Sequence, residues 1–339
     1  MENLLEAIAY RQMTPGDPNS LVQVKEELPQ PGAGQVLMRI KAASLNFRDL
    51  VMLNGRLPTP SNPGVVPLSD ASGEIVAIGE GVTRFAVGDR VVNSFYGQWF
   101  GGPLRVRPTQ YATTIDGWLA THKLIAAEAL SLIPAHLSFV EAATLPCAGV
   151  TAWSALLGVN PGDLVLTQGS GGVSLFAIQL AKSLGARVVA TTTNAQKSER
   201  LKALGAWEVI DVRASPDWAK MVKAITHGVG ADRIIEVGGP GTLAQSIKAV
   251  AYHGQVSIIG ALTAGPDQPP IDFMRLFLSQ ARYECIGVGS RADLEDLIRV
   301  MANHLLRPVI DSTFAFDDFD KAFARLSGRD VFGKVVIVH

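Results

Sequence analysis

The pattern of apolar and polar residues changes character along the chain. Up to about residue 127, short apolar runs separated by turn residues predict strands over 36–42, 71–78, 90–94 and 110–114. From about residue 164, apolar runs alternate with glycine turns and helical stripes, which is the pattern of a parallel sheet with crossover helices. Six strands are predicted there, over 164–167, 187–192, 208–211, 233–237, 255–259 and 283–288.

Three helices have recognisable ends in the sequence. An apolar stripe at i, i+3, i+4, i+7 and i+8 starts at Val173 and stops before Gly185. The run Ser215-Pro216-Asp217 predicts a cap, a first-turn proline and a first-turn acid. Ser290 followed by Asp293 predicts a capping box for the third helix.

Two further strand-like runs, at 309–316 and 335–338, indicate that the chain returns to its first domain. The predicted fold class is therefore α/β, with a mainly β domain over 1–130 and 300–339. The intervening domain, 131–299, is predicted to hold a Rossmann-type, doubly wound parallel sheet of six strands. Such a sheet suits the binding of a dinucleotide.

The sequence Gly169-Ser170-Gly171-Gly172-Val173-Ser174 lies directly after the first of these strands and directly before a helix. In a G-x-G-x-x-G loop the first glycine allows a tight turn, and the second lets the backbone approach a pyrophosphate at the helix N-terminus. The alternative is a glycine-rich turn without a ligand. The strand–loop–helix context favours a dinucleotide site, with Ser174 in place of the third glycine.

The end of the second strand of this domain carries no acidic residue. It contains Thr192, Thr193 and Asn194, followed by Lys197, where NAD-binding folds place Asp or Glu. A carboxylate there would repel a 2′-phosphate, whereas hydroxyls, an amide and a cation can hold one. NADPH is therefore predicted in preference to NADH. Lys197 is favoured over Arg200 as the cation, the alternative being that both are solvated helix residues.

Composition narrows the chemistry further. The 339 residues carry 30 Lys and Arg against 31 Asp and Glu, a net charge of -1, which argues against binding to nucleic acid or to an anionic membrane. Cys147 and Cys285 are the two cysteines, which excludes a disulfide-rich scaffold and a zinc site built from a cluster of thiolates. Acidic residues near the N-terminus, where a secretory signal needs basic ones, favour a cytoplasmic protein.

Six motifs run in order from near residue 40 to the C-terminus: Ala43-Ser-Leu-Asn46-Phe-Arg-Asp49, Pro67-Leu-Ser-Asp70-Ala-Ser-Gly73-Glu74, Gly88-Asp-Arg-Val-Val92, Leu145-Pro-Cys147-Ala-Gly-Val-Thr151-Ala-Trp153, the Gly169 loop, and Gly333-Lys334. Together they resemble the medium-chain dehydrogenase/reductase superfamily, and within it the zinc-lacking quinone oxidoreductase-like branch. The resemblance implies a GroES-like first domain and a homodimer.

Zinc alcohol dehydrogenases of this superfamily hold their catalytic metal with a Cys, a His and a second Cys. The resemblance puts Asn46, Ser69 and Cys147 at these positions. One thiolate cannot supply the three protein ligands of such a site, so no metal is expected. Without a Lewis acid, hydride reduction of a quinone or an α,β-unsaturated carbonyl is easier than alcohol oxidation, because the developing negative charge delocalises onto oxygen.

The resemblance also implies individual site residues. Asn46 is the candidate hydrogen-bond donor to the substrate or to the cofactor ribose, Asp49 fixes its loop, and Cys147 lies beside the nicotinamide. The alternative for Asn46 is a local cap. Arg48 and Asp70 could pair. Beyond Asn46, the glycine loop and the turn at 192–197, the cofactor-binding candidates are Thr151, Arg213, Gly238, Gly260, Leu262, Gly287 and Lys334. The resemblance puts Lys334 near the cofactor phosphates, the alternative being a surface cation.

Apolar residues at 53–57, 95–100 and 273–277 suggest a small hydrophobic quinone or enone as the substrate. Two other functions stay open. One is a non-catalytic NADPH-binding protein, and the other is an alcohol dehydrogenase with atypical zinc ligands.

Overall fold

The computed structural model describes residues 4–56, 61–106, 108–263, 270–328 and 330–339. Its strands, in chain order, are β1 (Leu5–Gln12), β2 (Leu21–Leu28), β3 (Gln35–Ser44), β4 (Asp70–Ile78), β5 (Arg90–Asn93), β6 (His122–Ala126), β7 (Leu130–Leu132), β8 (Leu164–Gln168), β9 (Arg187–Thr192), β10 (Glu208–Asp211), β11 (Ala231–Glu236), β12 (Val250–Ile258), β13 (Arg282–Cys285), β14 (Ile310–Ala315) and β15 (Lys334–Val338). Its helices are α1 (Phe47–Leu53), α2 (Phe139–Ala142), α3 (Val150–Leu156), α4 (Gly172–Ser183), α5 (Ser198–Leu204), α6 (Trp218–Ile225), α7 (Pro240–Ala249), α8 (Phe273–Ser279), α9 (Arg291–Asn303) and α10 (Phe319–Ser327). A π-helical turn, Leu145–Gly149, leads directly into α3.

The chain divides into two compact units, one formed by Met1–Val150 with Val288–His339 and the other by Thr151–Gly287. The boundaries expected from the sequence were at 130 and 300. The segment after residue 130 belongs to the first unit because β7 pairs with β5 and the Ser72 hydroxyl donates to the Phe139 carbonyl oxygen at 2.6 Å. Where the chain comes back to the first unit, the Arg291 guanidinium donates to the Glu128 carbonyl oxygen at 2.9 Å, so α9 also belongs to the first unit.

The first unit is built on a sheet with the strand order β14-β15-β3-β4-β5-β7, and β6 pairs with the first half of β3. β1 and β2 form a separate antiparallel hairpin. β15 pairs with β3 and with β14, so the C-terminal strands are part of the sheet of the first unit. Buried side chains that include Met38, Ile40, Leu68 and Trp118 form the core of this unit.

The second unit contains, among the described residues, a sheet of six parallel strands in the order β10-β9-β8-β11-β12-β13. This confirms the Rossmann-type arrangement predicted from the sequence, in which the strand order reverses beside the first strand, β8. β8 is buried along its whole length, as expected for a strand covered on both faces. Leu166, Val189, Ile234 and Val256 belong to its core.

The strand predicted over 110–114 was wrong. The Thr113 hydroxyl donates to the Gln110 carbonyl oxygen at 2.9 Å, and Ala112 has a φ of 66°. Local side-chain hydrogen bonds to the backbone therefore close a turn in place of a strand ladder.

The helix predicted to open at Ser215 begins later, at Trp218, and Asp217 is its N-cap residue. The Ser215 amide instead donates to the Asp211 carbonyl oxygen in the turn that leaves β10. The predicted helix at Val173 is confirmed as α4, and the capping box that opens α9 is present as predicted. Within the described ranges, no helix combines the length and the apolar character needed to cross a bilayer.

Candidate active site

The glycine loop lies at the carboxyl end of β8, where the strand order reverses. Gly169 has a φ of 74°, a left-handed conformation that favours glycine. A Cβ atom at Gly169 or Gly171 would have no neighbour within 4 Å, so the space over the loop is open. Gly171 is the N-cap residue of α4. The backbone therefore offers an open cradle at a helix N-terminus, which fits a pyrophosphate.

Ser174 occupies the position of the third glycine of the motif. It is buried, and its hydroxyl donates to the Gln168 carbonyl oxygen at 2.6 Å. The serine therefore joins α4 to the end of β8 by a hydrogen bond, where a glycine would allow only close packing.

The predicted cation reaches the glycine loop. Lys197 Nζ donates to Ser170 Oγ at 3.2 Å. Thr192 Oγ1 accepts from the Asn194 amide and donates to the Asn194 carbonyl oxygen, both at 3.1 Å, so Thr192 shapes the turn that carries the exposed Thr193. The structure thus brings Lys197 together with Ser170.

An acidic residue that the sequence argument did not consider ends the neighbouring strand. Asp211, on β10, is the register partner of Thr192. Its carboxylate accepts from the Arg213 amide at 2.9 Å, and Arg213 itself is exposed. Asp211 therefore fixes the turn from which the predicted Arg213 side chain extends.

A buried carboxylate that the sequence argument missed, Glu236, holds the turn after β11. Its oxygens accept from the amides of Gly238 and Gly239, both at 2.9 Å, and from Gln168 Nε2 at 2.7 Å. The hydroxyls of Thr242 and Ser246 also donate to it. These five donors satisfy a fully buried carboxylate and tie the Gly238 turn to the residue that precedes the glycine loop. The sequence feature that could have identified Glu236 is an acidic residue at the end of an apolar strand, directly before Val-Gly-Gly.

The turn after β12 lies against the Gly238 turn. Thr263 Oγ1 donates to the Gly238 carbonyl oxygen at 2.7 Å. A Cβ atom at Gly260 would lie 2.2 Å from the Val237 carbonyl oxygen. The close packing of these two turns is therefore enough to require a glycine at this position. Leu262 is 41% exposed. Of the remaining cofactor candidates in this unit, Thr151 is buried in α3, and Gly287 follows β13 in open space.

In the first unit, Asn46 is the N-cap residue of α1, and Asp49 Oδ2 accepts from its backbone amide at 2.7 Å. The predicted role of Asp49 in fixing the loop agrees with this contact. Arg48 Nη1 lies 3.6 Å from Asp49 Oδ1, and its guanidinium covers the Phe95 ring at 5.0 Å. The pairing suggested between Arg48 and Asp70 was wrong, because Arg48 pairs with Asp49, and the Asp70 oxygens accept from Ser69 Oγ and the Cys147 amide.

The three positions compared with zinc ligands come together around Asp70. Asn46 Nδ2 lies 3.4 Å from Ser69 Oγ, and Ser69 Oγ donates to Asp70 Oδ1 at 2.7 Å. The Cys147 amide, in the π-helical turn, donates to Asp70 Oδ2 at 3.1 Å. The motifs at 43–49, 67–74 and 145–153 therefore meet in one cluster.

Lys334 completes this cluster from β15. Its Nζ donates to the Leu45 carbonyl oxygen at 2.6 Å and also to Asn46 Oδ1. Lys334 is only 4% exposed, so it is not a surface cation. The sequence order gave no indication of the contact with Asn46.

Burial dominates the electrostatics of the cluster. It raises the pKa of Asp49 to about 6, and the nearby Arg48 guanidinium opposes that rise. Burial also raises the pKa of Asp70, against the effect of the Lys334 ammonium. The same cause lowers the pKa of Lys334 and raises that of the Cys147 thiol. Cys147 is therefore poorly suited to act as a thiolate nucleophile.

The residues of this cluster do not fit a catalytic zinc ion. A zinc site needs three protein ligands from Cys, His or carboxylates, whereas two of the three positions hold a neutral amide and a hydroxyl. The amide oxygen of Asn46, which a metal would require, already accepts from the Lys334 ammonium. In the described part of the chain, no group of three His, Cys, Asp or Glu side chains is arranged to hold a metal ion.

Comparison with known proteins shows which families this architecture resembles. Residues 172–303 match the family model of zinc-binding dehydrogenases, and residues 32–135 match that of the alcohol dehydrogenase GroES-like domain. The chain is 39% identical over 325 residues to a zinc-type alcohol dehydrogenase-like protein of Schizosaccharomyces pombe, with 92% of this chain and 93% of the relative covered. It is 31% identical over 335 residues to a chloroplastic quinone-oxidoreductase of Triphysaria versicolor, with 95% of each covered. A crystal structure assigned as an alcohol dehydrogenase from Sinorhizobium meliloti 1021 has a TM-score of 0.90 and 37% identity, and 99% of each chain is covered.

A GroES-like domain joined to a Rossmann-type domain defines a class of oxidoreductases that bind NAD(P). The chain belongs to the medium-chain dehydrogenase/reductase superfamily. The resemblance read from the six motifs is thereby confirmed, together with the GroES-like character of the first domain.

Proposed function

We propose that the protein is a zinc-independent, NADPH-dependent reductase of quinones or α,β-unsaturated carbonyl compounds. The observation that carries the proposal is the cluster of Asn46, Ser69 and Cys147 around Asp70, in which the Lys334 ammonium bonds to the amide oxygen that a metal would need. A quinone-oxidoreductase among the relatives supports the same reaction class.

The second unit supplies the cofactor site. The open cradle at Gly169 and Gly171 binds the pyrophosphate at the N-terminus of α4. Lys197, with its Nζ at Ser170 Oγ, binds the 2′-phosphate that distinguishes NADPH from NADH. Glu236 keeps the Gly238 turn in a fixed position relative to the end of β8 through Gln168.

The first unit supplies the hydrogen bond to the acceptor. A bound nicotinamide would supply a hydride to a conjugated carbon of the acceptor, and negative charge would develop on the acceptor oxygen. Asn46 Nδ2 is the group that would donate a hydrogen bond to that oxygen. A proton from solvent then completes the reduced acceptor. Asp49 holds the α1 N-terminus that carries Asn46.

The test is the oxidation of NADPH, measured as the decrease in its absorbance, with a panel of quinones, 2-alkenals and enoyl thioesters as acceptors. The expected result is turnover with at least one conjugated acceptor and much slower turnover with simple alcohols and ketones. NADPH binding without turnover on any acceptor would support the non-catalytic alternative. Alcohol oxidation that needs one zinc per chain would support the alcohol dehydrogenase that the names of several relatives suggest.

The remaining expectations belong to the same proposal. We expect a cytoplasmic homodimer, with a small hydrophobic acceptor as its substrate. The exposed aromatic pair Phe273 and Phe277 on α8, whose rings stack at 6.5 Å, is consistent with a hydrophobic partner or ligand. Of the other expected pocket walls, Phe95 is buried and Phe100 is 46% exposed, while Leu57 lies outside the described residues.

A further inference from the structure

A buried lysine ammonium is costly unless it is compensated, and Lys334 is compensated by contacts from several segments of the first unit. Its Nζ donates to the Leu45 carbonyl oxygen at 2.6 Å and to Asn46 Oδ1. The carboxylates of Asp70 and Asp49 are close enough to favour its charged form. Because only 4% of the residue is exposed, the ammonium is bound to the protein rather than to water.

These contacts fix the orientation of the Asn46 amide. The oxygen of the amide faces the Lys334 cation, whereas its nitrogen lies 3.4 Å from Ser69 Oγ, at the long limit of a hydrogen bond. A flipped amide would place its NH2 group against the ammonium, which would create a repulsive contact. The cation therefore defines the other side of Asn46, which carries two N–H groups, as the donor side.

The cation also changes the strength of that donor. A charge-assisted hydrogen bond to the amide oxygen draws electron density from the nitrogen, and hydrogen bonds in a chain strengthen one another in this way. An N–H of Asn46 thus becomes a better donor to an oxygen that gains negative charge. Lys334 acts through Asn46, because its own Nζ is directed to Leu45 and Asn46.

We propose that Lys334 is a positioning residue that holds and polarises Asn46 as the hydrogen-bond donor to the acceptor oxygen. This inference rests on the proposed reductase function. It differs from the contact with the cofactor phosphates that the resemblance implies for this lysine. The two roles predict opposite effects on catalysis and on NADPH binding, which makes them separable.

The primary experiment uses Lys334→Gln, with Lys321→Gln as the matched control. Lys321 is an exposed lysine of the first unit that pairs with Asp318 at 2.7 Å. The kcat at saturating NADPH is measured with the best conjugated acceptor, and the Kd of NADPH is measured by fluorescence titration without acceptor. We expect Lys334→Gln to lower kcat by about tenfold to hundredfold, less than the loss typical of a direct oxyanion donor, and to leave the Kd nearly unchanged. Lys321→Gln is expected to change neither.

Two further variants test the route through Asn46. Lys334→Arg retains a cation and is expected to recover part of the lost kcat. In a double-mutant cycle, Asn46→Ser combined with Lys334→Gln should lower kcat no further than Asn46→Ser alone, since both changes remove the same interaction. Serine is also a good N-cap residue, so α1 should retain its start.

A tenfold rise in the Kd of NADPH with an unchanged kcat in Lys334→Gln would overturn the inference and assign the lysine to the cofactor phosphates. Additive losses in the double-mutant cycle would overturn it as well. If Lys334→Gln does not fold, Lys334→Arg decides: it keeps a cation but changes the hydrogen-bond geometry at Asn46 Oδ1, so kcat should fall below that of the wild type while the Kd of NADPH stays constant, and the reverse result would overturn the inference. If the wild-type protein reduces no conjugated acceptor, the proposed function itself fails, an outcome that the wild-type assay shows before any variant is made.

Discussion

Replacing Lys197 by glutamine is expected to weaken NADPH binding and to leave NADH binding almost unchanged. The Lys197 ammonium lies 3.2 Å from Ser170 Oγ, and the side chain is partly exposed. Two unit charges about 4 Å apart interact by about 1 kcal/mol in water and by about 4 kcal/mol at an effective dielectric constant of about 20. A partly exposed cation beside a 2′-phosphate falls between these limits. We therefore expect a loss of about 1.4 to 2.8 kcal/mol, or roughly tenfold to hundredfold in Kd.

The ratio of the two dissociation constants is the informative quantity. Lys197→Gln also removes the hydrogen bond to Ser170, but both cofactors share that loss, so the ratio isolates the 2′-phosphate. Fluorescence titrations of NADPH and NADH at one ionic strength measure it, because salt screens an exposed charge pair. Lys202→Gln is the matched control, since Lys202 lies on α5, the helix that directly follows Lys197, and pairs with Glu199 at 4.0 Å. Equal losses for both cofactors, or the same ratio in Lys202→Gln, would refute this assignment.

Three further predictions concern groups whose pKa is shifted by loss of solvent around the charged form. Burial lowers the pKa of Lys123 to about 8 from 10.5, so the unfolded chain binds more protons between these two pH values. The free energy of unfolding should therefore rise with pH in this range. Urea titrations at a series of pH values should show a smaller rise in Lys123→Met than in the wild type. Burial raises the pKa of Asp49 to about 6, so the folded chain binds more protons between about pH 4 and that value, and stability should fall as pH rises through this range. Asp49→Asn should flatten that slope and retain most of kcat, and a loss as large as that of Asn46→Ser would contradict a loop-fixing role. Because burial raises the pKa of the Cys147 thiol, iodoacetamide at neutral pH should modify the exposed Cys285 first, and mass spectrometry showing earlier modification of Cys147 would oppose this.

The parts of the molecule that the sequence predicted well depend on local periodicity. The first strand of the second unit, β8, is a buried apolar run, and the loop at Gly169 is recognisable because its strand and its helix are adjacent in sequence. The same reasoning wrongly predicted a strand over 110–114, because the Thr113 hydroxyl donates to the backbone and competes with strand pairing.

The parts that the sequence did not predict depend on contacts between distant segments. Lys334 meets Asn46 across 288 positions of the chain, through the pairing of β15 with β3. Glu236 was missed because its donors come from β8, α7 and its own turn. The unit boundary at Val150 likewise depends on long-range pairing of β7 with β5, which no composition change marks.

Zinc content and turnover measured on one preparation test the metal-free reduction most directly. The protein is dialysed against a chelator, its zinc is quantified by elemental analysis, and the same sample is assayed for NADPH oxidation with the best conjugated acceptor. We predict far less than one zinc per chain and an undiminished kcat. Loss of activity on chelation, restored by one equivalent of zinc, would contradict the assignment of Asn46 and Lys334 to the site where a metal would otherwise act.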